Sequence, residues 1–192
     1  MSETDPDADD GGLDGLRHCL ACGQPELSLH GGKELRCAQC GFRYFHNVAA
    51  AVAVVLEHEG RFLFACRAHA PAQGAWDFPG GFVDPDETLE EAACRELREE
   101  LAVDLTPIDL RYLFSSHNRY PFASVAYRTA DVYFGVRLRT LPALHCADDV
   151  SEARWWRLEE LPDAALSFDT VRAAVARLRA GAFDAAFGAA RA

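Results

Sequence analysis

With 192 residues, 49% of them apolar and 26% charged, the chain is long enough for one full hydrophobic core plus a small appendage. Its formal charge of −11 argues against general binding to nucleic acid or anionic membranes, while leaving room for a local basic groove. The longest apolar run, Val48 to Leu56, is far short of the ~20 residues that span a bilayer, and the start of the chain lacks the basic and apolar regions of a signal peptide, so a cytoplasmic protein is expected.

Met1 to Asp14 carries Asp5, Asp7, Asp9, Asp10 and Asp14 with almost no apolar residue, too little to offset the entropy of ordering it. Residues 1–16 are therefore expected to be a disordered acidic tail. Residues 17–46 follow a different logic. Cys19 and Cys22, then Cys37 and Cys40, form two Cys-x-x-Cys pairs 14 residues apart, the spacing by which two knuckles bring four thiolates to one tetrahedral Zn²⁺. Gly23 and Gly41 follow the pairs, as a tight turn under the metal requires. The segment has too few apolar residues to fold alone, so a structural zinc ribbon is expected, with reduced or redox-paired cysteines as the competing account. A structural cap is the favoured role. A dimerisation surface, or a nucleic-acid knuckle using Arg36, Arg43, Tyr44 and Phe45, are the alternatives. Cys66, Cys94 and Cys146 have no paired spacing and are assigned to core or surface.

Residues 47–181 are read as the main domain. Val48 to Leu56 and Arg61 to Cys66 are apolar and β-branched enough for two strands, joined as a hairpin through His58-Glu59-Gly60. Ala68 to Gly74 is a loop, and further on Gly80 and Gly81 allow close approach of backbone to phosphate or unusual backbone angles. A helix follows. Thr88 with Glu91 three residues on is a capping-box pattern, and no Pro or Gly interrupts Leu89 to Leu101. At 100° per residue, Leu89, Ala93, Leu97 and Leu101 form one apolar stripe, with Glu96, Glu99 and Glu100 on the bordering arc. These glutamates repel one another, and Glu99 and Glu100 sit at the negative end of the helix, so positive charge is needed nearby. Arg95 and Arg98 supply part of it. A solvated acidic face is one reading; a Mg²⁺ or Mn²⁺ site for a phosphate-bearing substrate is the other.

Downstream, Leu105 to Phe114 and Ser124 to Leu138 are expected to be strands of a mixed sheet, with Ser115 to Phe122 a loop between them. His117, Asn118, Arg119 and Tyr120 in that stretch are candidates for substrate recognition, although ordinary hairpin loops have a similar composition. Leu141 to Val150 reads as a loop, and Glu152 to Pro162 as a strand and turn. One of Trp155 and Trp156 should be core, because neighbours on a strand face opposite ways, leaving the other free to reach a ligand. Asp169 to Arg179 repeats Val171, Val175 and Leu178 at helical spacing, with Asp169 as the N-cap. Residues 182–192 are expected to be a C-terminal tail.

The order Gly, five residues, Glu, seven residues, Arg-Glu-aliphatic-any-Glu-Glu, any, Gly, aliphatic is the box of the Nudix hydrolases. Gly81, Glu87, Arg95, Glu96, Leu97, Glu99, Glu100 and Val103 match it in register. Ala102 stands where the box has its last glycine. The resemblance extends upstream through Trp76 to Gly80 and downstream to Trp155-Trp156. It implies an α+β fold, an α/β/α sandwich around a mixed sheet, and Mg²⁺- or Mn²⁺-dependent cleavage of a phosphoanhydride. Glu96, Glu99 and Glu100 would hold the cation, with Glu99 or Glu100 accepting the proton of the attacking water. Glu87 and Arg95 would anchor the loop. Arg67, at the end of the second strand, would face phosphate or the glutamate helix unless it is a plain surface arginine. Glu152, Asp148 or Asp149 could add a further ligand or base. A ribbon before such a domain is similar to the NADH pyrophosphatase and ADP-ribose pyrophosphatase group, although of that group's Ser-Gln-Pro-Trp-Pro-Phe-Pro signature only the Ser and a Pro-Phe are present. The implied substrate is a nucleoside diphosphate linked to another moiety, ADP-ribose or NAD(H)-like, giving a nucleoside monophosphate. Nucleoside triphosphate hydrolysis and a non-catalytic nucleotide-sensing module are the alternatives. The implied partner is this small molecule, not membrane or nucleic acid, and a homodimer is compatible with the resemblance.

Overall fold

The structure is a computed structural model that describes Leu13, residues 16–122 and residues 125–187. It divides into two compact units, one holding the chain up to Val48 together with residues 119–128, the other holding residues 49–118 and everything from Thr129 on.

In the smaller unit, β1 (Leu27–His30), β2 (Glu34–Cys37) and β3 (Arg43–Phe45) form an antiparallel meander. Among the described residues its buried core is Leu13, Leu27 and Leu35 with the cysteines Cys19 and Cys37, and the partly buried Leu29 and Phe42 pack against it. Leu13 lies within the stretch expected to be tail and is nonetheless buried; the rest of residues 1–15 is outside the described residues. Arg36 and Arg43, candidates for nucleic-acid contact, both donate to the buried Glu34, Arg36 from the same strand and Arg43 from the neighbouring β3. Those hydrogen bonds hold the Glu34 carboxyl down at about 2.

The larger unit is built on β4 (Ala49–His58), β5 (Arg61–Arg67), β6 (Trp76–Asp77), β7 (Arg111–Phe122), β8 (Val125–Arg137) and β9 (Val150–Trp156). The strand order is β6-β5-β4-β8-β7, with β9 along the other edge of β5. β4 and β5 are joined by a tight hairpin pairing His58 with Arg61, where Glu59 and Gly60 both have positive φ, as a two-residue turn of matching twist demands. β4 runs parallel to β8, Ala49 opposite Thr129 through Glu57 opposite Arg137, which makes the sheet mixed. Beyond the hairpin β5 leaves β4, and residues 79–83 take its place: Val54 N–H donates to Pro79 O, Val52 N–H to Gly81 O and Val83 N–H to Ala50 O.

Helix α1 (Leu89–Leu101) covers one face of the sheet, and α2 (Asp169–Arg179) with the short α3 (Asp184–Phe187) covers the other. The alternation of β4 decides the layering. Val52, Val54 and Leu56 pack with Ala93, Leu97 and Leu101 of α1, whereas Val55 packs with Val171, Ala174 and Val175 of α2. Trp155 packs, half-buried, against the α1 core and Trp156 against the α2 core, so the two neighbours face opposite ways.

Four expectations need correction. Residues 115–122 are not a loop, because β7 continues through them to Phe122. Their polar side chains suit an edge strand, where Pro121 can also be tolerated. The stretch Leu105 to Leu110 is no strand, since Pro107–Asp109 form a 3-10 turn instead. Asp169 is the first residue of α2 rather than its cap, and its carboxylate takes Arg172 at 2.5 Å. The segment after residue 181, expected to be a tail, carries Phe183 and Phe187 into the core under α2. No helix among the described residues is long and apolar enough to cross a membrane.

The start of α1 has the reciprocal capping box of Thr88 and Glu91. Its end is marked by Ala102 at φ 56°, ψ 30°, whose N–H closes back on Arg98 O while Val103 N–H reaches Leu97 O. A left-handed alanine costs about 1–2 kcal/mol relative to glycine, offset in part by the greater freedom glycine has when unfolded. Ala102→Gly is expected to raise stability by about 0.5–1 kcal/mol, read as an upward shift in the denaturant midpoint with unchanged slope.

Candidate active site and metal centres

The ribbon cysteines are drawn together. Their four Sγ atoms lie within 4.8 Å of one another, and Cys19–Cys40 and Cys22–Cys37 are each 3.7 Å apart. A tetrahedron with Zn–S bonds of ~2.3 Å has edges of about 3.8 Å, so the donor set fits a zinc ion. Both knuckles close alike, Gly23 N–H on Cys19 O and Gly41 N–H on Cys37 O, with each glycine at positive φ. Burial opposes ionisation of Cys19, but the Cys22 and Ala21 amides outweigh it and bring the thiol to about 7, whereas Cys40 of the same quartet, despite the Phe42 amide, is pushed up to about 12 by the neighbouring thiols and burial.

The second site lies where residues 79–87 meet α1. Arg95 is its hub. Its guanidinium holds Glu87 through two nitrogens at 2.6 and 3.1 Å, Glu96 at 2.8 Å, Glu99 at 3.1 Å and the carbonyl of Phe82 at 3.0 Å. One cation thus ties the loop to the helix and partly neutralises two of the three glutamates. Glu100 points inward and accepts a hydrogen bond from Gly80 N–H at 3.0 Å. Only 5% of it is exposed, against 50% of the Glu99 side chain. Burial, with the Glu96 charge added, pushes the Glu100 carboxyl up to about 9, and burial also raises Glu96. The charges of Asp148 and Asp149 add to the pressure on Glu96 and Glu100. The loop carrying these aspartates is pinned to the end of α1, with His145 N–H on Leu101 O and Ala147 N–H on Glu100 O.

Two carboxylates buried side by side, with one arginine shared among three acids, are short of positive charge, and that shortage is what a hard divalent cation with oxygen ligands relieves. Glu96, Glu99 and Glu100 are the residues that could hold it. Among the described residues only the cysteine quartet is already gathered as a metal set, so the glutamates would have to swing from Arg95 to close on a cation.

Other candidates fall elsewhere. Arg67 bonds to Pro71 O at 2.8 Å, sits 3.6 Å from Asp77 and lies over the Phe168 ring. Glu152 is exposed on β9 opposite Cys66. His117 and Asn118 lie at the root of the β7–β8 hairpin, near Asp131, whereas Arg119 and Tyr120 belong to the ribbon unit. All four stand on strand β7 rather than in a loop.

Asp77 escaped the reading of the sequence. Its carboxylate accepts from Phe78 N–H at 2.8 Å and Ser167 Oγ at 2.9 Å, and burial pushes it up to about 6. It anchors the start of the segment that delivers Gly80 to Glu100. The available signal was its place three residues before the glycine pair.

A family model described as the NUDIX domain matches residues 46–177. A protein of Deinococcus radiodurans named NAD-capped RNA hydrolase NudC is 32% identical over 158 residues, 80% of this chain and 53% of that protein. The chain spans about half the length of the curated relatives it matches. The NUDIX domain of Shewanella oneidensis NrtR, solved in complex with ADP ribose, superposes with a TM-score of 0.56 at 28% identity, covering 71% of this chain and 90% of that one. A NUDIX hydrolase of Nitrosomonas europaea shares the fold at a TM-score of 0.62 and 21% identity, covering 86% of this chain and 94% of that one. By the reach of the domain match, and by the box geometry around Arg95, this chain belongs to the Nudix family.

Proposed function

We propose that the chain is a Mg²⁺- or Mn²⁺-dependent pyrophosphohydrolase that cleaves the diphosphate of a nucleoside diphosphate linked to another moiety, of the ADP-ribose or NAD(H) type. The observation that carries this reading is the burial of Glu96 and Glu100 beside Gly80 and Gly81, with Arg95 as the counter-charge that the described residues place among them. The names of the relatives, an NAD-capped RNA hydrolase and a domain holding ADP ribose, support the substrate class.

The cation supplies neutralisation of the diphosphate oxygens and acidification of a water. Glu96, Glu99 and Glu100 would bind it, and the Gly80 N–H would keep Glu100 in place. Glu99 is the accessible member and would accept the proton of the attacking water, directly or through a second water. Water adds to one phosphorus, the bridging P–O bond breaks, and a nucleoside monophosphate leaves with a second phosphorylated fragment. The four-cysteine ribbon would bind Zn²⁺ as a structural ion, in keeping with a reducing, cytoplasmic location.

A second reading, in which the nucleotide is the 5′ end of an RNA, is supported by the name of the Deinococcus radiodurans relative, an NAD-capped RNA hydrolase. The formal charge of −11 weighs against it, since phosphate contacts set much of RNA affinity.

Chromatography of products after incubation with Mg²⁺ and ADP-ribose, NADH, NAD⁺, nucleoside triphosphates or an NAD-capped RNA tests both readings. AMP released from a diphosphate-linked substrate is expected. Orthophosphate or pyrophosphate from triphosphates alone would replace the assignment, and no turnover of any member would leave a nucleotide-sensing module. Glu99→Gln should lower kcat by roughly 100-fold or more with the thermal transition unchanged, whereas near-normal turnover would remove Glu99 from the proton path. Cys37→Ser should release zinc, measured by atomic absorption; full zinc content in that variant would refute the four-thiolate site.

A further inference from the structure

β6 is short because the chain changes partners at its end. Trp76 and Asp77 pair with Cys66 and Ala65 of β5, whereas Pro79, Gly81 and Val83 are bonded to β4. Asp77 is therefore the last residue on one neighbour before the step to the other. A step between two ladders leaves backbone donors without a strand opposite, and each needs an acceptor from elsewhere. The Phe78 N–H, at the step, is taken by the Asp77 carboxylate itself at 2.8 Å. The second carboxylate oxygen accepts from Ser167 Oγ at 2.9 Å and lies 3.6 Å from the Arg67 guanidinium. Ser167 N–H also donates to Trp76 O at 3.0 Å, so the residue just before the start of α2 grips β6 by backbone and side chain together.

Past the step the chain has little freedom. Phe78 is buried, with its ring centroid 4.5 Å from that of Phe64, and Pro79 is fully buried, fixes its own φ and restricts the residue before it. Phe78 and Pro79 thus carry the placement of Asp77 on to Gly80. The alternation of the backbone then decides what Gly80 meets. Pro79 O and Gly81 O both face β4, accepting from Val54 and Val52, so the Gly80 N–H between them is turned the other way and reaches Glu100 at 3.0 Å. Arg95 is engaged with Glu87, Glu96 and Glu99, and the Gly80 amide is the donor that the structure places on Glu100.

An acid is a costly means of fixing such a step. Burial raises the Asp77 carboxyl, and the Arg67 charge with the Ser167 and Phe78 donors offsets that only in part. The return on that cost lies further along the segment, at the one hydrogen bond that aims a buried glutamate.

Resting on the metal-dependent hydrolase reading above, we propose that Asp77 is a positioning residue for the cation site: without touching the cation, it fixes the step from β5 to β4 and so sets the Gly80 N–H that aims Glu100. The test is Mn²⁺ binding to the full chain in the absence of substrate, read from the free-ion signal by electron paramagnetic resonance, beside the thermal transition of each variant. Asp77→Ala is expected to weaken Mn²⁺ binding by about tenfold, the scale on which groups that orient metal ligands act. Asp77→Asn keeps an acceptor for the Phe78 N–H and a partner for the Ser167 hydroxyl while removing the charge, and is expected to stay within about threefold of the wild type. The loss should pass through Glu100: in a Glu100→Gln background, Asp77→Ala is expected to change the affinity by about twofold or less. Should the alanine variant fail to fold, Ser167→Ala removes one donor alone and is expected to weaken Mn²⁺ binding by about threefold, with the same dependence on Glu100. Wild-type affinity in the folded variant overturns the proposal. So does a loss in Asp77→Asn as large as in Asp77→Ala, which makes charge rather than placement the cause, or a loss undiminished by Glu100→Gln. Each of these results would sink this inference alone, whereas no Mn²⁺ binding by the wild-type chain would sink the metal-dependent reading and this inference with it.

Discussion

The geometry of this protein turns on the absence of side chains at Gly80 and Gly81. A Cβ on Gly80 would be driven into the Val52 carbonyl, and one on Gly81 into the Glu96 carboxylate. Gly80 also has a positive φ that residues with side chains rarely adopt. Because both positions are bare, residues 79–83 can lie in the gap that β5 leaves beside β4 and still touch α1. That single close approach brings the Gly80 N–H to Glu100, the Phe82 carbonyl to Arg95 and the Phe82 ring to the opposite face. Asp77 holds the near end of the segment through Ser167 and Phe78, and Glu87 holds the far end through Arg95.

Arg95 explains how the acids coexist before any metal arrives. Three carboxylates on adjoining turns of one helix should repel, and the last turn of a helix adds its own negative end. The guanidinium meets Glu96 and Glu99 with one nitrogen and leaves Glu100 to burial and the Gly80 amide. The outcome is a graded set: Glu99 half exposed, Glu96 partly neutralised, Glu100 pushed up to about 9 by burial. A cation entering this set would convert Glu100 from a group that resists ionising into a ligand, so binding should be coupled to proton release.

What was legible in the sequence, and what was not, divides by range. The capping box at Thr88, the knuckles at Cys19 and Cys37 and the hairpin at His58 to Gly60 are set by residues within a few positions of one another, where spacing alone carries the physics. The anchoring role of Glu87 and Arg95 came from the resemblance to the Nudix box, not from spacing. Asp77 was not legible, because its carboxylate is fixed by Ser167, 90 residues further along the chain, which only the folded sheet brings to it. Residues 115–122 misled in the opposite way, since Ser, His, Asn and Arg suit either a loop or the exposed edge of a sheet, and composition does not separate the two. Phe183 and Phe187 were overlooked because an alanine-rich C-terminus shows no clear period, and only packing under α2 makes them core.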